Sequence, residues 1–396
     1  MRGRPTEGLL VSSISNLVKY LATTAVLTAA SGYAHAQSSV TLYGIVDGGI
    51  TYSNNQSGAA AVQASSGGEG GSRWGLQGTE DLGGGMSTVF RLENGFNVQN
   101  GQNLYNGREF GRLAYVGLDT HWGRITLGRQ DDVMGDYLGA YSGAVRFSGP
   151  MGTHAGDLDD IYISYKLNNI IKYASPVYNG VSFGGLYGVG GAAGSLATDQ
   201  LWGLAARYAS GPISVSAVYH HINDPAVTYF DGAAAAQAGT SFVNPVTNPI
   251  FKGYSSATSL DAYGVGGSFT FGESVLSANM TTTQFNNVIK TASTPNGGAS
   301  PSITSIEATY SRHISVPVLV GISVAYTHAE AAKYGQVTLG SEYFLSKRTS
   351  LYLVGAWQHA TGTDSTGQAA VANLTTISAS STPNQLAMRF GLKETF

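Results

Sequence analysis

The 396-residue chain has no cysteine, only 11% charged residues and, after position 36, no apolar run long enough to cross a membrane as a helix. Each absence excludes a class. Without cysteine there is no disulfide framework and no thiolate metal centre. A charged fraction well below the roughly 25% of ordinary soluble domains argues against two or three soluble globules. A helical span needs about 20 consecutive apolar residues, which removes the helical-bundle membrane class. Strands with one face toward lipid and the other toward water satisfy all three constraints. What the chain has in plenty fits that solution: 54 glycines and 23 tyrosines, with a mean hydropathy near zero.

The first 36 residues read as a secretory signal peptide. Arg2, Arg4 and Lys19 supply a basic start, Leu21 to Ala30 a short apolar core, and Ala34-His35-Ala36 an A-x-A site. Ten apolar residues are too few to span, so cleavage between Ala36 and Gln37 is expected, giving a leader at 1–36 and a single barrel at 37–396. The remaining 18 Lys and Arg against 23 Asp and Glu leave a net charge of −5. That balance gives no support for nucleic-acid binding.

From Gln37 the sequence alternates with period two. Val40 to Tyr52 reads as a first strand, with Val40, Leu42, Val46 and Ile50 on one parity and Thr41, Tyr43, Asp47 and Thr51 on the other. A Gly/Ser/Ala-rich loop at 54–70, strand Ser72–Glu80, a tight turn at 81–85 and strand Met86–Asn97 follow. After a loop at 98–107, strand Arg108–Thr120 joins strand Arg124–Arg129 through a short turn. Further tight turns fall at 176–180, 211–212, 272–273, 313–316 and 347–348. Long loops fall at 131–160, 190–199, 223–258, 287–301 and 361–383, with a shorter one at 330–333. The count predicts an all-β fold, a transmembrane antiparallel barrel of sixteen strands, at about 22 residues per strand and connection. Closure is required, because an open edge in hydrocarbon leaves backbone groups unpaired. Tyr43, Tyr52, Tyr115, Tyr173, Tyr208 and Tyr263 are candidates for the aromatic girdles.

Several segments resemble the general porins of Gram-negative outer membranes. They are Val40-Thr41-Leu42-Tyr43-Gly44, Ser72 to Gly83 (SRWGLQGTEDLG), Val89-Phe90-Arg91-Leu92-Glu93, Phe110 to Leu118 (FGRLAYVGL) and Leu127-Gly128-Arg129-Gln130. Ile171 to Pro176 and Tyr343 to Thr349 resemble the β-proteobacterial variant. The resemblance runs through both halves in order. It implies homotrimers of sixteen-stranded barrels in the outer membrane, each with a third loop folded inward to narrow the pore. It also implies assembly by the barrel-assembly machinery and contact with outer-membrane lipid and lipopolysaccharide. Residue by residue, it places Arg73 and Arg112 in a lumen-facing arginine cluster, Arg129 at the root of the third loop and Lys166 at a basic position on the next strand. Two departures bear on constriction size and ion preference: Ile45 stands where enterobacterial relatives carry a base, and their Pro-Glu-Phe-Gly-Gly is absent.

Parity gives an independent reading. Arg73 alternates against Trp74 and Leu76, Arg112 against Leu113 and Tyr115, Arg124 against Ile125 and Leu127, and Lys166 against Leu167, which turns each base from lipid. Loop 131–160 carries Asp131, Asp132, Asp136, Asp157, Asp159 and Asp160 against one base, Arg146. With Glu93, these carboxylates would oppose the basic wall across a narrow channel, and such a transverse field sorts solutes by charge. The chain ends on Phe396, in phase with Leu386, Met388, Phe390 and Leu392, and the terminal Phe resembles an assembly signal.

The expected function is therefore passive diffusion of small hydrophilic solutes and ions. A substrate-selective pore, or an adhesin or anchor displaying loop 223–258 with Phe242 and Phe251, are the alternatives. No catalytic residue, metal or cofactor is expected. The eight histidines lack ligand spacing, and the adjacent pair His220-His221 would face opposite ways on a strand. The Gly-rich stretches 188–191 and 264–267 open no helix of a βαβ unit.

Overall fold

The computed structural model describes residues 39–237, 241–295 and 297–396. The leader at 1–36 and its cleavage residues Ala36 and Gln37 lie outside the described residues. Seventeen strand segments form one antiparallel sheet: β1 (Ser39–Gln56), β2 (Ala59–Ser66), β3 (Arg73–Gly83), β4 (Met86–Gly95), β5 (Leu113–Thr120), β6 (Gly123–Gln130), β7 (Leu167–Ala174), β8 (Val181–Gly188), β9 (Leu201–Ser210), β10 (Ile213–Asn223), β11 (Ala257–Phe271), β12 (Ser274–Val288), β13 (Ser302–Ser315), β14 (Val318–Ala329), β15 (Ala332–Phe344), β16 (Thr349–Gly362) and β17 (Asn384–Thr395). β2 and β3 lie end to end along one edge of β1: Gly48–Gln56 pairs with β2 and Ser39–Ile45 with β3. They make one broken stave, so the barrel has sixteen. The other edge of β1 pairs with β17 and closes the ring.

Alternation sets the two faces. On β1, Val40, Leu42 and Ile50 are exposed while Asp47, Thr51 and Ser53 are fully buried. On β17, Leu386, Met388, Phe390 and Leu392 are exposed, and Gln385, Ala387 and Arg389 face inward. An apolar outer face and a polar inner face follow directly from period-two geometry. Among the described residues no helix is long and apolar enough to cross a membrane; the crossing elements are strands.

Two expected segments differ. The stretch read as a loop at 54–70 is mostly hairpin: β1 turns into β2 at Ser57-Gly58, both with positive φ, which is the two-residue turn whose twist suits a hairpin. Only residues 67–72 leave the sheet. The strand expected from Arg108 starts at Leu113, so the parity assigned to Arg112 does not apply. Leu113 is buried and Tyr115 borders an inner cavity, whereas Val116 and Leu118 are exposed.

Residues 131–166 run along the inner faces of the wall. Asp132 caps a short helix, α1 (Val133–Leu138), accepting from the Gly135 N–H at 3.0 Å. Beyond it, the Tyr141 hydroxyl shares hydrogen bonds with Ser214 (2.7 Å) and Ser216 (2.9 Å) on β10. Gln336 of β15 donates to the Thr153 carbonyl at 3.1 Å. Loop 224–256 packs on this segment, with Tyr229 and Phe230 against Tyr165 and Phe230 stacked on Phe251. These side chains join Leu158 and Ile161 and inward residues of β8 to β16 in one continuous apolar cluster. The apolar cluster thus fills space between the third loop and the inner faces of β8 to β16, while a cavity bordered by Arg146, Val275 and Ser311 remains open on the β12–β14 side. Phe251 is buried and Phe242 partly covered, so loop 223–258 turns its aromatics inward rather than displaying them.

Candidate functional site

The lumen holds a cavity of about 650 Å³, bordered by β1, β3, β4, β17 and the loop 131–166. Its basic wall is built around Glu93. Arg112 Nε lies 2.6 Å from Glu93 Oε1, Arg91 Nη2 lies 2.9 Å from Oε2, and Arg73 Nε lies 3.9 Å from Oε2. The Tyr43 hydroxyl donates to the same Oε2 at 2.8 Å and accepts from Arg91 Nε. One buried carboxylate thus spaces three guanidiniums, which all keep part of their surface open to the cavity and leave a local excess of two positive charges.

A narrowing element comes from residues 67–72, which leave the sheet and wrap Asp47. The amides of Glu69 and Gly70 both donate to Asp47 Oδ2 at 2.8 Å, and the Tyr352 hydroxyl donates to Oδ1 at 2.7 Å. The inflection touches the third loop so closely that a Cβ at Gly149 would stand 2.3 Å from the Gly68 carbonyl oxygen. Glycine is needed there by close approach and by its φ of +62.

The other expected site residues distribute as follows. Asp131 borders the cavity, its Oδ1 2.6 Å from Lys166 Nζ. Burial alone would raise its carboxyl, but Lys166 and Lys172 hold it below the usual range. Asp136 pairs with Lys172 at 2.6 Å beside a smaller cavity that Arg124 also borders; Arg124 is ion-paired with Asp119 at the short-turn rim. Asp132, Asp157, Asp159 and Asp160, expected in an acidic row facing the arginines, are all buried. Asp132 caps α1, Asp157 bonds Ser164 and the Tyr162 amide, Asp159 bonds His154 and Thr281, and Asp160 accepts from the Tyr165 amide. Their geometry holds the loop rather than the pore. Arg129 and Lys166 are likewise buried: Arg129 donates to the Gly111 and Lys166 carbonyls, and Lys166 to the Ile163 carbonyl. Among the tyrosines, Tyr43 and Tyr115 point inward, while Tyr52, Tyr208 and Tyr263 present exposed rings.

Sequence reasoning missed Arg91, Lys172 and Lys393 on the inner wall, and His154 with Glu307 beneath the loop. Arg91 was within reach, because it shares the parity of Glu93. His154 is buried between Asp159 Oδ2 (2.6 Å) and Glu307 Oε2 (3.1 Å), and Glu307 Oε1 accepts from the Gly143 amide at 2.8 Å. Burial alone would depress the imidazole; Asp159 and Glu307 override it and hold His154 well above its ordinary value.

A sixteen-stave barrel with a charged, loop-narrowed lumen invites comparison with known channels. The profile of the Gram-negative porin family matches residues 22–363. The chain belongs to the Gram-negative porin family. This porin is 31% identical to outer membrane porin protein 32 of Delftia acidovorans over 354 residues, covering 82% of the chain and 85% of that relative. It is 33% identical to an outer membrane porin protein of Bordetella pertussis over 236 residues, a match that spans 52% of the chain and 60% of that relative's length. Among solved structures, an anion-selective porin from Comamonas acidovorans superposes with a TM-score of 0.69 at 25% identity, covering 91% of this chain and all of that one. The porin is thus an outer-membrane channel for passive diffusion.

Proposed function

We propose that the pore favours anions and that its selectivity is set in the Arg73–Arg91–Arg112 cavity. The observation that carries this is the geometry around Glu93, three guanidiniums sharing one carboxylate at the wall of the 650 Å³ cavity. Field lines concentrate in a narrow aqueous passage with low-dielectric walls, so two uncompensated charges there outweigh the chain's overall acidity. Acidic groups on distant loops are screened beyond a Debye length of roughly 8–10 Å. The anion selectivity of the Comamonas acidovorans porin supports the same sign. The reading includes a homotrimeric assembly, export with cleavage between Ala36 and Gln37, barrel-assembly machinery as the folding partner, and small hydrophilic solutes and ions as cargo. The trimeric form of Vibrio cholerae OmpT shows that a barrel of this fold assembles that way.

The experiment is a zero-current potential across a salt gradient for the wild type and for an Arg73→Ser, Arg112→Ser double variant. The wild type should report anion preference. Neutralising two of the three guanidiniums leaves Arg91 balanced by Glu93, and the potential should move toward the cation side. An unchanged potential would mean that the ion path does not pass these side chains.

A further inference from the structure

The same cavity holds a second charged cluster that the arginine wall does not use. Lys393 Nζ, on β17, lies 2.8 Å from Glu69 Oε2 on the 67–72 inflection and 2.8 Å from Glu342 Oε1 on β15. Both carboxylates are almost wholly covered, while the inflection and Lys393 border the cavity with Arg73, Arg91 and Arg112. Two buried carboxylates therefore share one ammonium. We infer that Glu69 is a specificity-determining residue of the pore: with Glu342 it shares Lys393, and whether this group holds a proton decides the net charge that the second cluster adds to the ion path.

The surroundings favour a shared proton. Asp47 on β1 is already committed to the amides of Glu69 and Gly70 and to the Tyr352 hydroxyl, so it adds negative charge without offering a counter-charge. Arg389 on β17 is turned away, to Thr51 and the Gly68 carbonyl. Tyr162 of the third loop donates to the Glu69 backbone oxygen, not its carboxylate. Among the described residues, Lys393 is the one cation paired with either acid. Two like charges in one covered site resist simultaneous ionisation. Burial, opposed by Lys393 and reinforced by Glu342, pushes the Glu69 carboxyl up to about 8.

The sign follows. Below pH 8 the group is one ammonium, one carboxylate and one neutral acid, with no net charge. Above it, Glu69 ionises and the cluster contributes −1. The anion preference set by the arginines should therefore weaken as pH rises through about 8. A unit charge roughly 10 Å from the path, screened by salt over about one Debye length, changes the anion-to-cation permeability ratio about twofold.

This inference rests on the arginine cavity being the ion path, and the test separates the two. Reversal potentials are measured from pH 6 to 9.5 for wild type, Glu69→Gln, Glu342→Gln and the Arg73→Ser, Arg112→Ser variant. The wild type should lose about half its anion-to-cation permeability ratio across that range. Glu69→Gln and Glu342→Gln should both be flat, since each leaves one carboxylate neutralised by Lys393. Should one of them fail to assemble, the other carries the same test. A wild type that is flat across the range, or a Glu69→Gln channel that keeps the full step, overturns the inference. If in that case the arginine variant still shifts the potential at pH 6, the ion path stands; if it does not, the path itself is wrong.

Discussion

Removal of Phe396 is expected to abolish accumulation of folded protein in the outer membrane, a loss far larger than one side chain's burial explains. The residue directly follows β17 at the seam where the barrel closes. Its amide donates to the Gly44 carbonyl and its carbonyl accepts from the Gly44 amide, both at 3.0 Å. Its ring lies over Gly44, where a Cβ would stand 2.5 Å from the ring and equally close to the Arg73 carbonyl oxygen. Apolar burial accounts for about 2 kcal/mol, and two hydrogen bonds for about 1 kcal/mol each. An unclosed seam additionally leaves strand edges unpaired in hydrocarbon, which membranes do not tolerate. Heat-modifiable mobility of membrane fractions reads the outcome. A deletion variant present as folded barrel at wild-type level would refute the role assigned to the seam. A Gly44→Val channel should fail for the same reason, because the space over Gly44 is already taken.

The second large effect concerns the third loop. In His154→Leu, the carboxylates of Asp159 and Glu307 remain buried without their shared partner. Leaving a buried charge uncompensated costs about 3–5 kcal/mol. That is enough to release the loop from the wall, so the variant should show strong open-channel noise and a higher mean conductance. The pH dependence of the wild type is fixed by the same contacts. The two carboxylates raise His154 above its ordinary value, so its contribution is complete below the free-imidazole value near 6.5 and is lost as pH rises through the elevated one. Wild-type records should be quiet near the ordinary imidazole value and grow noisier as pH rises through the elevated one, whereas His154→Leu should be noisy throughout. Equal noise in both at neutral pH would show that the loop does not depend on this bond.

Much of this was legible in the chain itself. Strict alternation is forced wherever one face meets lipid, so the outward sets Val40, Leu42 and Ile50 on β1 and Leu386, Met388, Phe390 and Leu392 on β17 could be read from the sequence, although the inward residues Arg389 and Lys393 that the same pattern leaves over were not taken up. Tyr43 falls on the inward parity of Thr41 and Asp47, and treating it as a girdle residue set aside that pattern. The third loop was opaque for a different reason. Its chain follows no period, and its aspartates serve a helix cap, a histidine clamp and backbone amides. Composition shows the acidic excess of such a loop but not which groups are turned into packing. The 67–72 inflection was hidden because a Gly/Ser-rich stretch reads as loop whether it projects outward or folds against Asp47. Arg112 shows where alternation does not reach: it precedes β5, and its direction comes from Glu93.

The central claim is that ions pass through the arginine-lined cavity on the β1–β6 side and not through the apolar cluster between the third loop and β8–β16. The absence of native cysteine permits a direct test by thiol labelling during single-channel recording. Leu104 borders the cavity and is exposed, whereas Ala329 is buried within the apolar cluster. A charged methanethiosulfonate reagent should reduce the current of Leu104→Cys in discrete irreversible steps and leave Ala329→Cys untouched. Block at Ala329→Cys with no effect at Leu104→Cys would place the aqueous path on the other side and contradict the account.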